Sequence, residues 1–169
     1  MGSGRTTMLV RAGDRWLGAI GLMDLPRPEA SAVIARLAAL GVKNTVMLSG
    51  DNQRVADAVA AEVGVAHARG DLMPEDKVAQ IAALRERHGR VGMVGDGVND
   101  APALAQADVG IAIGAGTDVA MASAGVILAS SDPRSVLSVI QLSQATYRKM
   151  KQNLWWGAGY NLSRSRWPP

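Results

Sequence analysis

The 169-residue sequence has no cysteine, which excludes disulfides and thiolate metal sites and fits a reducing compartment. Phenylalanine is also absent, with only four tryptophans and two tyrosines, so the core must be built from aliphatic side chains. The two histidines, His67 and His88, have no partner at metal-ligand or catalytic-triad spacing and are assigned to structure or surface. No apolar run reaches the ~20 residues of a spanning helix, and the opening MGSGRTT has no apolar signal core to direct secretion. The net charge is only +3, and the basic residues are scattered until the C-terminal region without an interleaved aromatic platform. That pattern excludes a nucleic-acid partner and reads as a solvated face with a local basic excess near a membrane. What remains is a globular composition, 48% hydrophobic, long enough for one α/β domain and a short appendage.

The stretch Gly89 to Gly114 carries the densest chemistry. Val91 to Val94 is a short apolar run, β-branched at both ends and followed by Gly-Asp-Gly, which predicts a buried parallel strand ending in a tight turn. Asp96 then sits at the carboxyl end of a strand, the edge where open α/β sheets bind ligands. Asn99 and Asp100 form the start signal of a helix over Ala101 to Ala107. Two carboxylates and an amide beside a helix N-terminus suit Mg2+ and the phosphate oxygens it accompanies. The bland alternative is a helix-capping turn.

Two earlier loops repeat the strand, polar turn, helix pattern. Thr45 to Leu48 predicts a buried strand running into Ser49-Gly50-Asp51-Asn52, where a hydroxyl and backbone N–H groups are placed to donate to phosphate. The same residues read equally as a Ser or Asx cap for a helix over Gln53 to Val63 with Val55, Val59 and Val63 inward. Val65 to Ala68 is a short strand, and Pro74 opens a helix with Val78, Ile81 and Leu84 inward and Gly89 as its cap. Lys77 lies in the first turn of that helix, an electrostatically poor place for a cation unless an anion shares its pocket. Around these, Met8 to Arg11 and Trp16 to Leu22 predict a hairpin turning at Ala12-Gly13-Asp14, and Pro28 begins a helix reaching Leu40 with Val33, Ile34, Leu37 and Leu40 inward. Asp108 to Ile113 and Val126 to Leu128 predict further strands, with Thr117 or Asp118 capping a short helix through Ser123 between them. Ser131-Asp132-Pro133 starts a long helix that gains Arg148, Lys149 and Lys151 before Trp155-Trp156, the pattern of a cytoplasmic membrane boundary.

GDGVNDAPAL, followed by ADVGIAIG and GTDVA, resembles the hinge-and-magnesium motif of P-type ATPases, ion pumps whose phosphorylation domain has a haloacid-dehalogenase-like fold. The resemblance covers most of residues 8–161 but only the C-terminal part of a much larger pump, and it implies a fragment of an ATP-driven heavy-metal, copper-class pump. The expected fold is α/β, a doubly wound parallel sheet of Rossmann type plus a C-terminal helix. The sheet lacks its central nucleophile strand, because the Asp-Lys-Thr-Gly-Thr segment that carries the family's phosphoryl acceptor is absent. The implied divisions are 1–23, a remnant of the nucleotide-binding domain and hinge hairpin; 24–131, the incomplete phosphorylation domain; 132–152, a connecting helix; and 153–169, the start of a membrane helix.

By the same resemblance, Asp96 and Asp100 serve Mg2+, while Ser49, where the family usually has Thr, and Asn99 hydrogen-bond phosphate oxygens. Gly50 and Asp51 shape that loop. MPEDK resembles the segment whose lysine, here Lys77, neutralises the transferred phosphoryl group. Asp24 and Arg27 fall on the hinge where the family positions ATP; read alone they are equally a helix cap and a surface arginine. Asn153, Tyr160 and Asn161 resemble the intramembrane metal-site pattern of the copper class. The tail beyond Asn161 carries two arginines and two prolines in place of an apolar continuation, which reads instead as an amphipathic or disordered end. The implied ligands are a phosphoryl or nucleotide group with Mg2+. Other expected partners are a membrane or a complete pump, at the cytoplasmic face, with self-association through unpaired strands. Two other readings stand beside this one: a small soluble phosphatase of the haloacid-dehalogenase kind, for which Asp24 is the only early nucleophile candidate, and a non-catalytic module holding Mg2+ and phosphate.

Overall fold

The computed structural model describes residues 6–22, 26–96, 98–114 and 122–165. Gly13, at a φ of 58°, takes the left-handed conformation that a tight turn needs, and it joins β1 (Thr6–Ala12) to antiparallel β2 (Arg15–Leu22). Arg11 pairs with Asp14 across the turn and lies over the Trp16 ring, 5.7 Å from its centroid. This hairpin is a sheet by itself, with Met8, Leu9, Trp16, Leu17 and Ile20 exposed.

From there the chain alternates: α1 (Ala30–Ala39), β3 (Val46–Leu48), α2 (Gln53–Val63), β4 (His67–Arg69), α3 (Pro74–His88), β5 (Gly92–Gly95), a 3-10 turn at Val98–Asp100, α4 (Ala101–Gln106), β6 (Val109–Ile113), β7 (Val126–Leu128) and α5 (Arg134–Ser165). Apart from the short helix expected before Ser123, most of which lies outside the described residues, the predicted elements are present in order, shifted by one or two residues at their ends. The buried stripe of α2 is rotated from expectation: Ala56, Ala60 and Val63 are buried, while Val55 and Val59 are only partly so. Two alanines four residues apart let the helix axis approach β3 and β4 closely, which valines at the same positions would prevent.

All pairing outside the hairpin is parallel, as the alternation predicts, but it forms two blocks, β3-β4 and β5-β6-β7. Among the described residues β3 and β5 do not pair with each other. The blocks run in one direction. Asn44 Nδ2 lies 3.4 Å from His88 Nδ1 beside the N-terminal ends of β3 and β5, and contacts at the opposite ends are described below. β5 was expected to be buried on both faces, yet only Met93 and Gly95 are buried and Val94 is 45% exposed, so one face of this strand has no covering layer.

The core is aliphatic, as the shortage of aromatics requires. Ile81 of α3, Met93 of β5, and Ala103 and Leu104 of α4 form its centre, with Leu48, Val78, Val91 and Ala107 packed around them. α5 buries Val136 near its start and is exposed over residues 141–162. Among the described residues no helix is long and apolar enough to cross a membrane. Asp24, the expected cap at Thr117 or Asp118, and the tail from Arg166 lie outside the described residues.

Candidate functional site

Three loops leave the carboxyl ends of β3, β4 and β5 and meet on one rim. In the first, Ser49 N–H donates to the Arg69 carbonyl at 2.8 Å, extending the β3-β4 ladder by one step. The Ser49 hydroxyl accepts from the Asp51 N–H at 3.1 Å and donates to Asp51 Oδ2 at 2.9 Å, which folds the turn on itself. The cap of α2 is the Asx of the expected pair of alternatives, Asn52, whose side-chain oxygen accepts from Arg54 N–H at 3.0 Å. Gly50 lies exposed between them.

The second loop is tied to the first by its backbone. Asp71 N–H donates to the Asp51 carbonyl at 2.6 Å and Leu72 N–H to the Ser49 carbonyl at 3.1 Å. Asp71 adopts a φ of 56°, the positive-φ non-glycine among the described residues, and its carboxylate accepts from Gln53 N–H at 3.0 Å. Gln53 in turn accepts from Gly70 N–H at 2.6 Å, and a Cβ on Gly70 would lie 2.5 Å from Gln53 Cα, so only glycine fits there. Asp71 and Gln53 received no role from the sequence. The available signal was the Gly70-Asp71 pair, since aspartate is among the few side chains that tolerate the left-handed region.

This second loop leads into α3, whose start is fixed by Pro74 and by Asp76 Oδ2 accepting from Met73 N–H at 3.0 Å. One turn in, Lys77 Nζ lies 2.7 Å from Asp100 Oδ1, with side-chain exposures of only 14% and 17%. The anion that a lysine at a helix start requires is therefore present within the chain. Asp100 stands at the α4 N-cap position but makes no side-chain cap bond, because its carboxylate is turned to Lys77. Gly95 makes room for it: a Cβ there would lie 2.9 Å from Asp100 Oδ2. Asp96 and Asn99 are exposed on the same loop.

The other candidates lie elsewhere. The Arg27 guanidinium donates to the Ser131 carbonyl, tying the segment before α1 to the segment before α5. Asn153, Tyr160 and Asn161 are on the exposed stretch of α5, and among the described residues no group of three or more His, Cys, Asp or Glu side chains could hold a metal. Away from the rim, the Val91 N–H bonded at 2.8 Å to Asp108 Oδ2 holds that carboxyl below the usual carboxylate range, helped by Arg85 at 3.0 Å. Asp132 is held low by the Arg134 side chain 2.7 Å away.

The rim offers hard oxygen donors from two carboxylates and a hydroxyl turn, beside the partly buried ammonium of Lys77. Mg2+ is commonly held by one or two protein carboxylates, its remaining positions being filled by water and substrate phosphate. The pair Asp96 and Asp100 fits that mode, and it does not fit a cage made by protein alone.

The profile of a family described as haloacid dehalogenase-like hydrolase matches residues 2–108. The chain is 48% identical over 158 residues to the copper-exporting P-type ATPase B of Archaeoglobus fulgidus, covering 94% of this chain and 23% of that protein. It is 47% identical over 161 residues to the copper-exporting P-type ATPase B of Enterococcus hirae, covering 94% and 21%. Its structure is similar to the crystal structure of a zinc-transporting PIB-type ATPase, with a TM-score of 0.76 and 44% identity over 89% of this chain and 24% of that one. The chain thus spans about a fifth of the length of the curated relatives it matches. With the family profile spanning more than half of its residues, the chain belongs to the haloacid dehalogenase-like hydrolases.

Proposed function

We propose that this chain forms the Mg2+- and phosphate-holding part of the phosphorylation domain of an ATP-driven, copper-translocating P-type ATPase. The observation that supports it most is the Lys77–Asp100 pair at the sheet's carboxyl edge, joined through the Leu72 backbone to the Ser49 turn and flanked by Asp96. In this reading Asp96 and Asp100 hold Mg2+, which when bound offsets the charge of the phosphoryl oxygens. Lys77 sets the electrostatic balance of the pocket, and Ser49 and Asn99 donate hydrogen bonds to phosphate, with Gly50 and Asp51 shaping and orienting the turn. Asp24 and Arg27 take the hinge role of helping to position the nucleotide. The chain contains no Asp-Lys-Thr-Gly-Thr, so it positions a phosphoryl group and does not itself accept one. The rim then belongs at the cytoplasmic face, with α5 leading toward the membrane.

Copper is preferred over zinc as the cargo because the matched relatives named above are copper exporters at slightly higher identity than the zinc-transporting structure. A free-standing phosphatase is disfavoured because Asp24 lacks the flanking residues of an acceptor aspartate. The test is Asp96→Ala in a full-length pump carrying this segment. Loss of phosphoenzyme turnover, with metal-stimulated turnover of the parent highest on Cu+, supports the reading. An unchanged rate overturns the role of Asp96, and hydrolysis of p-nitrophenyl phosphate by the isolated chain, lost in Asp24→Asn, would restore the phosphatase.

A further inference from the structure

The turn after β3 owes its shape to the segment that follows β4. Ser49 and Asp51, on either side of Gly50, both direct their carbonyls into that segment, where they accept from Leu72 N–H at 3.1 Å and Asp71 N–H at 2.6 Å. A trans peptide unit sets its N–H opposite its C=O, so the N–H groups of Gly50 and Asn52 are turned away from residues 70–72. Side chains fasten the two segments a second time. The Asp71 carboxylate accepts from Gln53 N–H at 3.0 Å and lies 3.5 Å from Asn52 Nδ2. Gln53 reaches back to β4, accepting from Gly70 N–H at 2.6 Å and donating to the Ala68 carbonyl at 3.2 Å and to Asp57 at 2.7 Å.

Joining a loop to a helix does not require all of this. Asn52 already caps α2 by accepting from Arg54 N–H, yet Asp71 adds a second acceptor from outside the helix, at a φ of 56° that glycine would adopt without strain. Asn52 and Asp71 together engage the N–H groups of Arg54 and Gln53, which leaves an anion on this rim the Ser49 side of the turn. There the Ser49 oxygen is held by Asp51 N–H at 3.1 Å. Only its hydroxyl hydrogen, directed at Asp51 Oδ2 2.9 Å away, must turn to reach a phosphate oxygen.

We propose that Asp71 and Gln53 are positioning residues for phosphate, acting through the Ser49 turn, a role that rests on the reading of Ser49 as a phosphate donor. They do not touch the ligand. By crossing from the β4 loop to the start of α2 they fix the turn between Ser49 and Asp51, so that phosphoryl oxygens meet it with no movement but that of the hydroxyl hydrogen. Orientation held in advance is not charged against binding, which is how groups remote from a ligand raise its affinity.

The experiment measures inhibition by orthovanadate, a mimic of the phosphoryl group, together with the KM for ATP, in a full-length pump carrying this segment. Asp71→Gly removes the carboxylate while accepting the backbone angle without strain, so the fold is kept. It should raise the vanadate inhibition constant about tenfold, the loss of roughly one oriented hydrogen bond. The KM for ATP, which is held through its nucleoside as well, should change less. Asp71→Asn keeps an acceptor oxygen for Gln53 N–H and tolerates the same φ, and it should restore inhibition to within about twofold of the parent. On a Ser49→Ala background Asp71→Gly should add less than about twofold, because it acts through that hydroxyl. A role confined to stability would lower the amount of active pump and leave the inhibition constant as it was. Parent-like inhibition in Asp71→Gly or Gln53→Ala, with Ser49→Ala weakened, would overturn this proposal alone, as would full additivity of Asp71→Gly with Ser49→Ala. Parent-like inhibition in Ser49→Ala would overturn the phosphate reading of that residue and the proposal with it.

Discussion

Lys77 and Asp100 stand 23 residues apart in sequence, yet Nζ and Oδ1 are 2.7 Å apart and both side chains are mostly shielded from water. The pair fastens the start of α3 to the start of α4 across the carboxyl end of β5, and it puts a cation where the dipole of α3 alone would disfavour one.

Removing the lysine leaves a shielded carboxylate without its partner, which costs more than the pair contributes in place. Lys77→Met should therefore destabilise the chain by about 1–3 kcal/mol in urea unfolding. Lys77→Met combined with Asp100→Asn should recover part of that loss, because the charge left behind is then gone. A double mutant as unstable as the sum of the singles would show that the two groups act independently.

Gly95 tests the same contact from the backbone side. Gly95→Ala puts a methyl group 2.9 Å from Asp100 Oδ2, and since that oxygen belongs to a carboxylate held at its other end by Lys77, the side chain has little room to retreat. A loss of about 1–3 kcal/mol is expected, together with a shift of the Asp100 and Lys77 resonances by NMR. The same substitution at Gly92, where the nearest atom is 3.7 Å away, should produce neither.

The sequence made the order of elements legible because each carries its own local signal: Gly13 at the hairpin, Pro74 at the α3 start, Gly89 after its end. It also exposed the three rim loops, since each follows an apolar run with a polar turn. It could not show that Lys77 meets Asp100, because a contact between two helix starts depends on how β4 and β5 are placed in space. The roles of Asp71 and Gln53 were hidden for the same reason: their bonds to each other and to Gly70 span 17 to 18 residues and leave no periodic trace. The rotated face of α2 was misread because a valine scores as more apolar than an alanine, whereas packing against the sheet selects for small size.

Asp108 sets part of the acid response. The Val91 N–H and the Arg85 guanidinium hold its carboxyl low in the folded chain, so the folded state binds fewer protons than the unfolded one near pH 4. This contribution to stability is complete above the ordinary aspartate value of about 3.9 and is lost as pH falls through the lower folded value. Asp108→Asn should therefore lower stability at pH 7 and flatten its fall below pH 4, as followed by chemical denaturation at several pH values. An acid limb unchanged in the mutant would assign that response to other carboxylates.

The divided sheet sets the thermal limit. A continuous parallel sheet spreads its ladder hydrogen bonds across every strand, but among the described residues β3 and β5 each leave one edge without a strand partner, and the central cluster of α3, β5 and α4 has four buried side chains of which only Leu104 is large and fully enclosed. Backbone groups left unpaired in a sheet interior cost about 1–3 kcal/mol each, a large fraction of the ~5–15 kcal/mol that holds a domain together. The full chain should therefore melt below ~65 °C, at the lower part of the range for ordinary domains. Amides of Val46–Leu48 should exchange faster than those of β6, which is paired on both sides. A monodisperse monomer that melts above that temperature, with β3 and β6 equally protected, would mean that the two blocks are held together by something other than the rim contacts and the aliphatic core.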